Sequence, residues 1–218
     1  MWSAGPARRA PEAGRPGALR LGLPLAPGMR VGLFGGSFNP AHEGHAHVAQ
    51  TALARLGLHR VVWLVSPQNP LKPAGDTAPL AERMAGAARL ARGPRMIVSD
   101  AEAKLGSRYS LDTIRLLKAR RRGVHFVWVM GADSLAGFHR WKGWTQIFRE
   151  VPVVVVARPG ATLKALTSPA ARRFGRALTY LTAPLDFTSS TALRGSARGS
   201  ILSGPEGRVE GLTKTAGP

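Results

Sequence analysis

Six short apolar runs, each separated from the next by a helical pattern, constrain this chain of 218 residues more than any other feature. They are Arg30 to Phe34, Arg60 to Val65, Arg95 to Val98, Val124 to Met130, Pro152 to Ala157 and Ala177 to Leu181. Apolar residues at three- and four-residue spacing predict helices over His45 to Leu56, Leu80 to Ala91, Ser110 to Arg121, Trp144 to Arg149 and Leu163 to Phe174. A last helix is expected to start near Ser189. The run Pro-Val-Val-Val-Val-Ala at 152 to 157 has no polar face, so it belongs in a sheet covered on both sides. The alternation predicts βαβ units with right-handed crossovers, and therefore an α/β fold with a doubly wound, mostly parallel sheet and helices on both faces.

In a Rossmann-like sheet of this kind, ligands bind beyond the C-terminal strand ends. The unusual residues gather there. After the first run comes Gly32 to His47, Gly-Leu-Phe-Gly-Gly-Ser-Phe-Asn-Pro-Ala-His-Glu-Gly-His-Ala-His. After the second comes Ser66-Pro-Gln-Asn-Pro-Leu-Lys72, after the fourth Gly131-Ala-Asp133-Ser134, and after the last Asp186 to Arg194. The first of these loops joins a strand end to a helix start, where unpaired N–H groups and the helix dipole favour anions. Gly35-Gly36 allows close approach of a ligand to the main chain. The loop lacks both common glycine-rich phosphate motifs, and Ala46 stands where the zinc-protease pattern needs its second His. Metal ligation by His42, His45 and His47 lacks an obvious completing carboxylate or thiol, so no resident metal is expected.

Composition excludes several other classes. There is no cysteine, hence no disulfide or thiolate zinc site, in keeping with a cytoplasmic protein. No apolar run reaches the roughly 18 to 20 residues that span a bilayer. The formal charge of +19 raises nucleic acid as a partner, but the first 28 residues carry +3, the last 24 carry +1, and the remaining cations are scattered apart from Lys118 to Arg122. That run ends a predicted helix, where cations complement the dipole. The charge therefore supports a general attraction for polyanions such as nucleotides, with no specific nucleic acid. Residues 1 to 28 are rich in Ala, Gly, Pro and Arg and read as a disordered extension, the fold beginning near Met29. Residues 195 to 218, rich in Gly, Ser and charge, read as a disordered tail.

The segment Gly35-Gly36-Ser37-Phe38-Asn39-Pro40-x-His42-x-Gly44-His45 resembles the His-x-Gly-His signature of the nucleotidyltransferase superfamily. Thr188-Ser189-Ser190-Thr191-Ala192-Leu193-Arg194 is similar to its second motif, Ser-Ser-Thr-x-x-Arg. Gly131 to Trp144 and Arg108-Tyr109-Ser110-Leu-Asp112-Thr113 resemble the bacterial nicotinate-nucleotide adenylyltransferases in particular. The resemblance covers residues 29 to 194, taken as one nucleotidyltransferase domain. The chain departs from the pattern in carrying Asn39 where many members have Asp, and in lacking an apolar closing segment.

The resemblance implies an enzyme that joins ATP and nicotinate mononucleotide into deamido-NAD with release of pyrophosphate, Mg²⁺ being carried with ATP. The implied catalytic pair is His42 and His45. Gly35, Gly36, Ser37, Phe38, Gly131, Asp133, Ser190, Thr191 and Arg194 are implied for ATP, and Asn39, Lys72, Tyr109, Ser110 and Trp141 for the pyridine nucleotide. Plainer readings exist for several of these: Ser and Thr are favoured N-caps, Asp133 suits a helix start, and tryptophans fill cores. Two alternatives differ in outcome: transfer to another phosphate acceptor, such as nicotinamide mononucleotide or phosphopantetheine, or an inactive basic RNA-binding protein.

Overall fold

The computed structural model describes residues 21–67, 77–158 and 162–182. Among them six strands form one sheet: β1 Arg30–Gly36, β2 Arg60–Val65, β3 Met96–Ser99, β4 His125–Gly131, β5 Val153–Val156 and β6 Leu178–Leu181. Their order is β3-β2-β1-β4-β5-β6 and every pairing is parallel. Parallel neighbours need crossovers, and helices supply them: α1 Glu43–Arg55, α2 Leu80–Leu90, α3 Ala101–Lys104, α4 Ser110–Arg120, α5 Ala132–Gly137, α6 Trp144–Glu150, α7 Thr162–Leu166 and α8 Pro169–Phe174.

Alternation along the strands sends side chains to two cores. Val31, Leu33, Val62, Leu64, Trp128, Met130, Val153 and Val155 pack with Leu111, Ile114, Leu117, Leu135 and Ile147 from α4, α5 and α6. Phe34, Val61, Trp63, Val65, Val129, Val154 and Val156 pack with Val48, Ala49, Ala52, Leu53 and Ala87 from α1 and α2. Ile114 and Leu117, fully buried on α4, each contribute about 2 kcal/mol by leaving water.

Three expectations are corrected. The predicted helix Leu163–Phe174 is two helices, because Pro169 cannot donate into a continuing helix and Ser168 instead caps α8, accepting from the Ala171 N–H at 3.2 Å. The fold begins before Met29: Leu21 and Leu23 are buried in the first core, and Gly28 donates to the Gly123 carbonyl at 2.7 Å. The Lys118 to Arg122 run does more than complement the helix dipole, since Lys118 pairs with Glu150 at 2.9 Å and Arg121 donates to the Leu23 carbonyl at 3.2 Å. The short helices α3 and α5 had no periodic signal at their length.

Two strand ends define where a ligand fits. The β1 to β2 pairing runs to Gly36 with Val65, and β4 to β5 runs to Gly131 with Val156. The β1 to β4 pairing stops earlier, at Phe34 with Val129. The sheet therefore parts between β1 and β4 at its C-terminal edge, where the winding direction reverses.

Candidate active site

The loop after β1 enters this parting. α1 starts two residues before the predicted boundary, so His42 is its N-cap, in extended conformation, and His45 lies one turn on. The imidazoles are 3.8 Å apart between centroids. The His42 main-chain N–H donates to His45 Nδ1 at 3.2 Å. An accepting Nδ1 carries no proton, so neutral His45 holds its proton on Nε2 and has one N–H to give. Burial first, then the neighbouring His42 and Arg158, hold its pKa well below the ordinary histidine range. At neutral pH His45 is an uncharged donor. The far end of α1 is closed by Gly57 at φ +55°, with the Leu58 N–H returning to the Leu53 carbonyl at 3.0 Å.

The main chain of the loop is oriented by its carbonyls. The Gly36 carbonyl accepts from the Ser66 N–H at 3.0 Å, and the Ser37 carbonyl accepts from Arg83 Nη1 at 2.7 Å. In a trans peptide the following N–H points the opposite way. The Ser37 and Phe38 N–H groups therefore face away from β2 and α2, and among the described residues they donate to no main-chain carbonyl. Ser37 is half-buried, open enough for an anion to reach these donors.

Three residues expected near the ligand also have packing roles within the protein. The Phe38 ring is 1% exposed and lies 5.0 to 5.4 Å from His45, Trp63 and Phe34, so only its main chain can meet a ligand. Its φ of +46° is the cost of turning the loop sharply there. Asn39 is buried and its Oδ1 accepts from the Ala78 N–H at 3.1 Å, tying the loop to the approach of α2. Gly35 makes room for protein: a Cβ there would come within 2.5 Å of the Trp128 indole.

On the other bank of the parting, Gly131 ends β4 and Asp133 opens α5. Asp133 pairs at 3.1 Å with Arg158, which follows β5 and is 6% exposed. A Cβ on residue 131 would lie 2.5 Å from Asp133 Oδ1 and 3.0 Å from Arg158 Cδ, so glycine leaves room for this pair. Arg158 escaped the sequence reading, although a cation directly after an apolar strand at the ligand edge is a signal of its own.

Tyr109 and Ser110, at the start of α4, are half-buried. Trp141 follows the turn Phe138–Arg140 and packs edge-on against Phe138 at 5.1 Å and Trp128 at 6.1 Å. Lys142 Nζ sits 4.4 Å above the Tyr109 ring, joining the two segments. Gly143, at φ +68°, is pressed against Leu111 Cδ2 where a Cβ would stand. Behind Tyr109, the buried hydroxyls of Ser107 and Thr113 are 2.6 Å apart, and Thr113 Oγ1 is 3.3 Å from both Glu102 Oε1 and the Tyr109 carbonyl. Burial raises the Glu102 pKa to about 7, against the Thr113 hydrogen bond, which lowers it. Lys72, Ser190, Thr191, Arg194 and the helix expected near Ser189 lie outside the described residues.

Comparisons with known proteins give the family and the likeness of fold. The model of the cytidylyltransferase-like family matches residues 33–196. A relative from Caulobacter sp. (strain K31), "Probable nicotinate-nucleotide adenylyltransferase", is 66% identical over 184 residues, 77% of this chain and 97% of its own. Relatives of the same name from Cereibacter sphaeroides and Rhizobium meliloti are 52% and 48% identical, matched over 78% of this chain and 99% and 100% of theirs. Plasmodium falciparum nicotinic acid mononucleotide adenylyltransferase complexed with NaAD aligns with a TM-score of 0.61 at 14% identity, over 77% of this chain and 83% of that one, a likeness of fold.

Proposed function

This chain belongs to the cytidylyltransferase-like family, among its nicotinate-nucleotide adenylyltransferases, and from that premise we propose that it transfers the adenylyl group of ATP to nicotinate mononucleotide. The products are deamido-NAD and pyrophosphate. A phosphate oxygen of the mononucleotide forms a bond to the α-phosphorus of ATP. The bond from that phosphorus to the bridging oxygen breaks, and pyrophosphate leaves with the electron pair. The attacking phosphate is already an anion at neutral pH, so no protein nucleophile is needed. The chain has to bring two anions together and to stabilise charge at the α-phosphoryl group.

The observation that carries this reading is the gathering of hydrogen-bond donors where β1 and β4 part. They are the uncharged His45 with its Nε2 proton, the Ser37 and Phe38 N–H groups, and the Arg158 guanidinium. His45 donates to the phosphoryl oxygens, and His42 sets its tautomer through the main chain. Asp133 holds Arg158 and faces the nucleoside. Ser190, Thr191 and Arg194 are assigned to the β and γ phosphates by motif, as is Lys72 to the acceptor phosphate. Trp141 and Tyr109 flank the pyridine ring, with Ser110 and Lys142 toward its carboxylate. Mg²⁺ enters as part of the substrate, on phosphate oxygens and water, which suits a hard cation better than the histidine nitrogens of this loop. No helix among the described residues is long and apolar enough to cross a membrane, and we assign the chain to the cytoplasm.

The test is incubation with ATP and Mg²⁺ and, in parallel, nicotinate mononucleotide, nicotinamide mononucleotide or phosphopantetheine. Deamido-NAD and pyrophosphate in the first reaction, well above the adenylylated product in the others, is the expected result. Faster turnover of another acceptor would reassign the substrate, and salt-sensitive RNA binding with no turnover would overturn the enzyme reading.

A further inference from the structure

Arg83 lies on α2, away from every motif, yet it is 3% exposed. Its side chain reaches the main chain of three separate segments. Nη1 donates to the carbonyls of Ser37 and Ser66, each at 2.7 Å, Nη2 to that of Pro67 at 2.8 Å, and Nε to that of Ala78 at 2.8 Å. Four of the five guanidinium N–H groups are used on carbonyl oxygens, and no carboxylate pairs with it among the described residues. Burial lowers its pKa, but a guanidinium stays charged in proteins. A buried cation balanced only by main-chain dipoles is costly for surface anchoring, where a neutral donor would serve. It is well suited to fixing the direction of peptides.

We propose that Arg83 is a positioning residue for adenylyl transfer. It grips the ends of the loops after β1 and β2 together and thereby aims the Phe38 N–H at the phosphate crevice. Ser37 and Ser66 share one nitrogen, so the two loops cannot move independently while that nitrogen holds both. The Ser66 N–H and hydroxyl add to the lock by donating to the Gly36 carbonyl at 3.0 and 3.3 Å. The positive charge also lies behind the Ser37–Phe38 peptide, where it polarises the carbonyl and strengthens the N–H opposite as a donor. This proposal rests on the adenylyltransferase reading above.

Two measurements test it. The first compares wild type, Arg83→Lys and Arg83→Met at a temperature well below each variant's own Tm. Lysine keeps the charge but cannot spread four directed donors, so kcat is expected to fall on the order of 10²-fold in both variants, as for a small misplacement of reacting groups. KM for nicotinate mononucleotide should change little. Variants that stay folded and keep wild-type kcat overturn the proposal, as does a loss confined to that KM. The second uses wild type alone, so it stands even if the variants fail to fold. In ¹H–¹⁵N spectra, α,β-methylene-ATP with Mg²⁺ should move the Ser37 and Phe38 amides downfield. Unmoved amides at saturating ligand overturn the proposal. Failure of wild type to make deamido-NAD would instead overturn the functional reading, which separates the two.

Discussion

Gly35 and Trp128 share one volume: a Cβ on residue 35 would sit 2.5 Å from the indole Cη2 and 2.8 Å from Cζ2. Trp128 is fully buried and carries Trp141 edge-on against it. The loop proposed to bind phosphate and the Trp141 side of the proposed pyridine site are thus coupled through one indole. Gly35→Ala is expected to destabilise by about 1 to 3 kcal/mol, the usual range for overpacking. It should also shift tryptophan emission and raise KM for nicotinate mononucleotide. Denaturation curves and steady-state kinetics check both. An alanine variant with wild-type stability would show that Trp128 relocates freely.

His45→Ala should reduce kcat by roughly 10² to 10³ while leaving the fold intact, the effect of removing one oxyanion donor. His45 is held well below the ordinary histidine range, so it is neutral from slightly acidic pH upward. The pH profile of kcat should accordingly show no inflection from this residue between about pH 6.5 and 8. An inflection near 6.5 in wild type that vanishes in His45→Gln would contradict the neutral state assigned to His45.

Trp141→Ala should raise KM for the pyridine nucleotide roughly tenfold and leave KM for ATP nearly unchanged, in line with the worth of one aromatic contact. Lys142→Met should lower the preference for nicotinate over nicotinamide mononucleotide, because Lys142 is the cation above Tyr109. Competition kinetics with the two nucleotides measures it. An unchanged preference would remove Lys142 from carboxylate recognition.

Glu102 makes stability depend on pH. Its carboxyl is raised from 4.5 to about 7 in the fold, so between those values the folded state binds more protons than the unfolded one. Unfolding free energy then falls as pH rises. The contribution is complete below about pH 4.5 and gone above about pH 7, with an upper limit of about 3 kcal/mol. Thermal melts from pH 5 to 7.5 should slope downward in wild type and lose that part of the slope in Glu102→Gln, which still fills the site beside Thr113. Parallel slopes in both proteins would place the effect elsewhere.

The apolar runs determined the sheet by themselves. Val-Val-Val-Val cannot tolerate a wet face, and each of the six predicted strands is present within two residues of its expected ends. The same local logic marked the Gly/His loop, since two glycines before a helix start leave N–H groups without partners. Tertiary structure decided what each residue of that loop does. Gly35 serves Trp128, Phe38 serves the core and Asn39 holds Ala78, because those neighbours come from far along the chain and no local pattern encodes them. Arg83 and Arg158 were hidden for the same reason. In the sequence they are two cations among 31 basic residues, and only the parallel winding brings one behind the loop after β1 and the other to the mouth of β4.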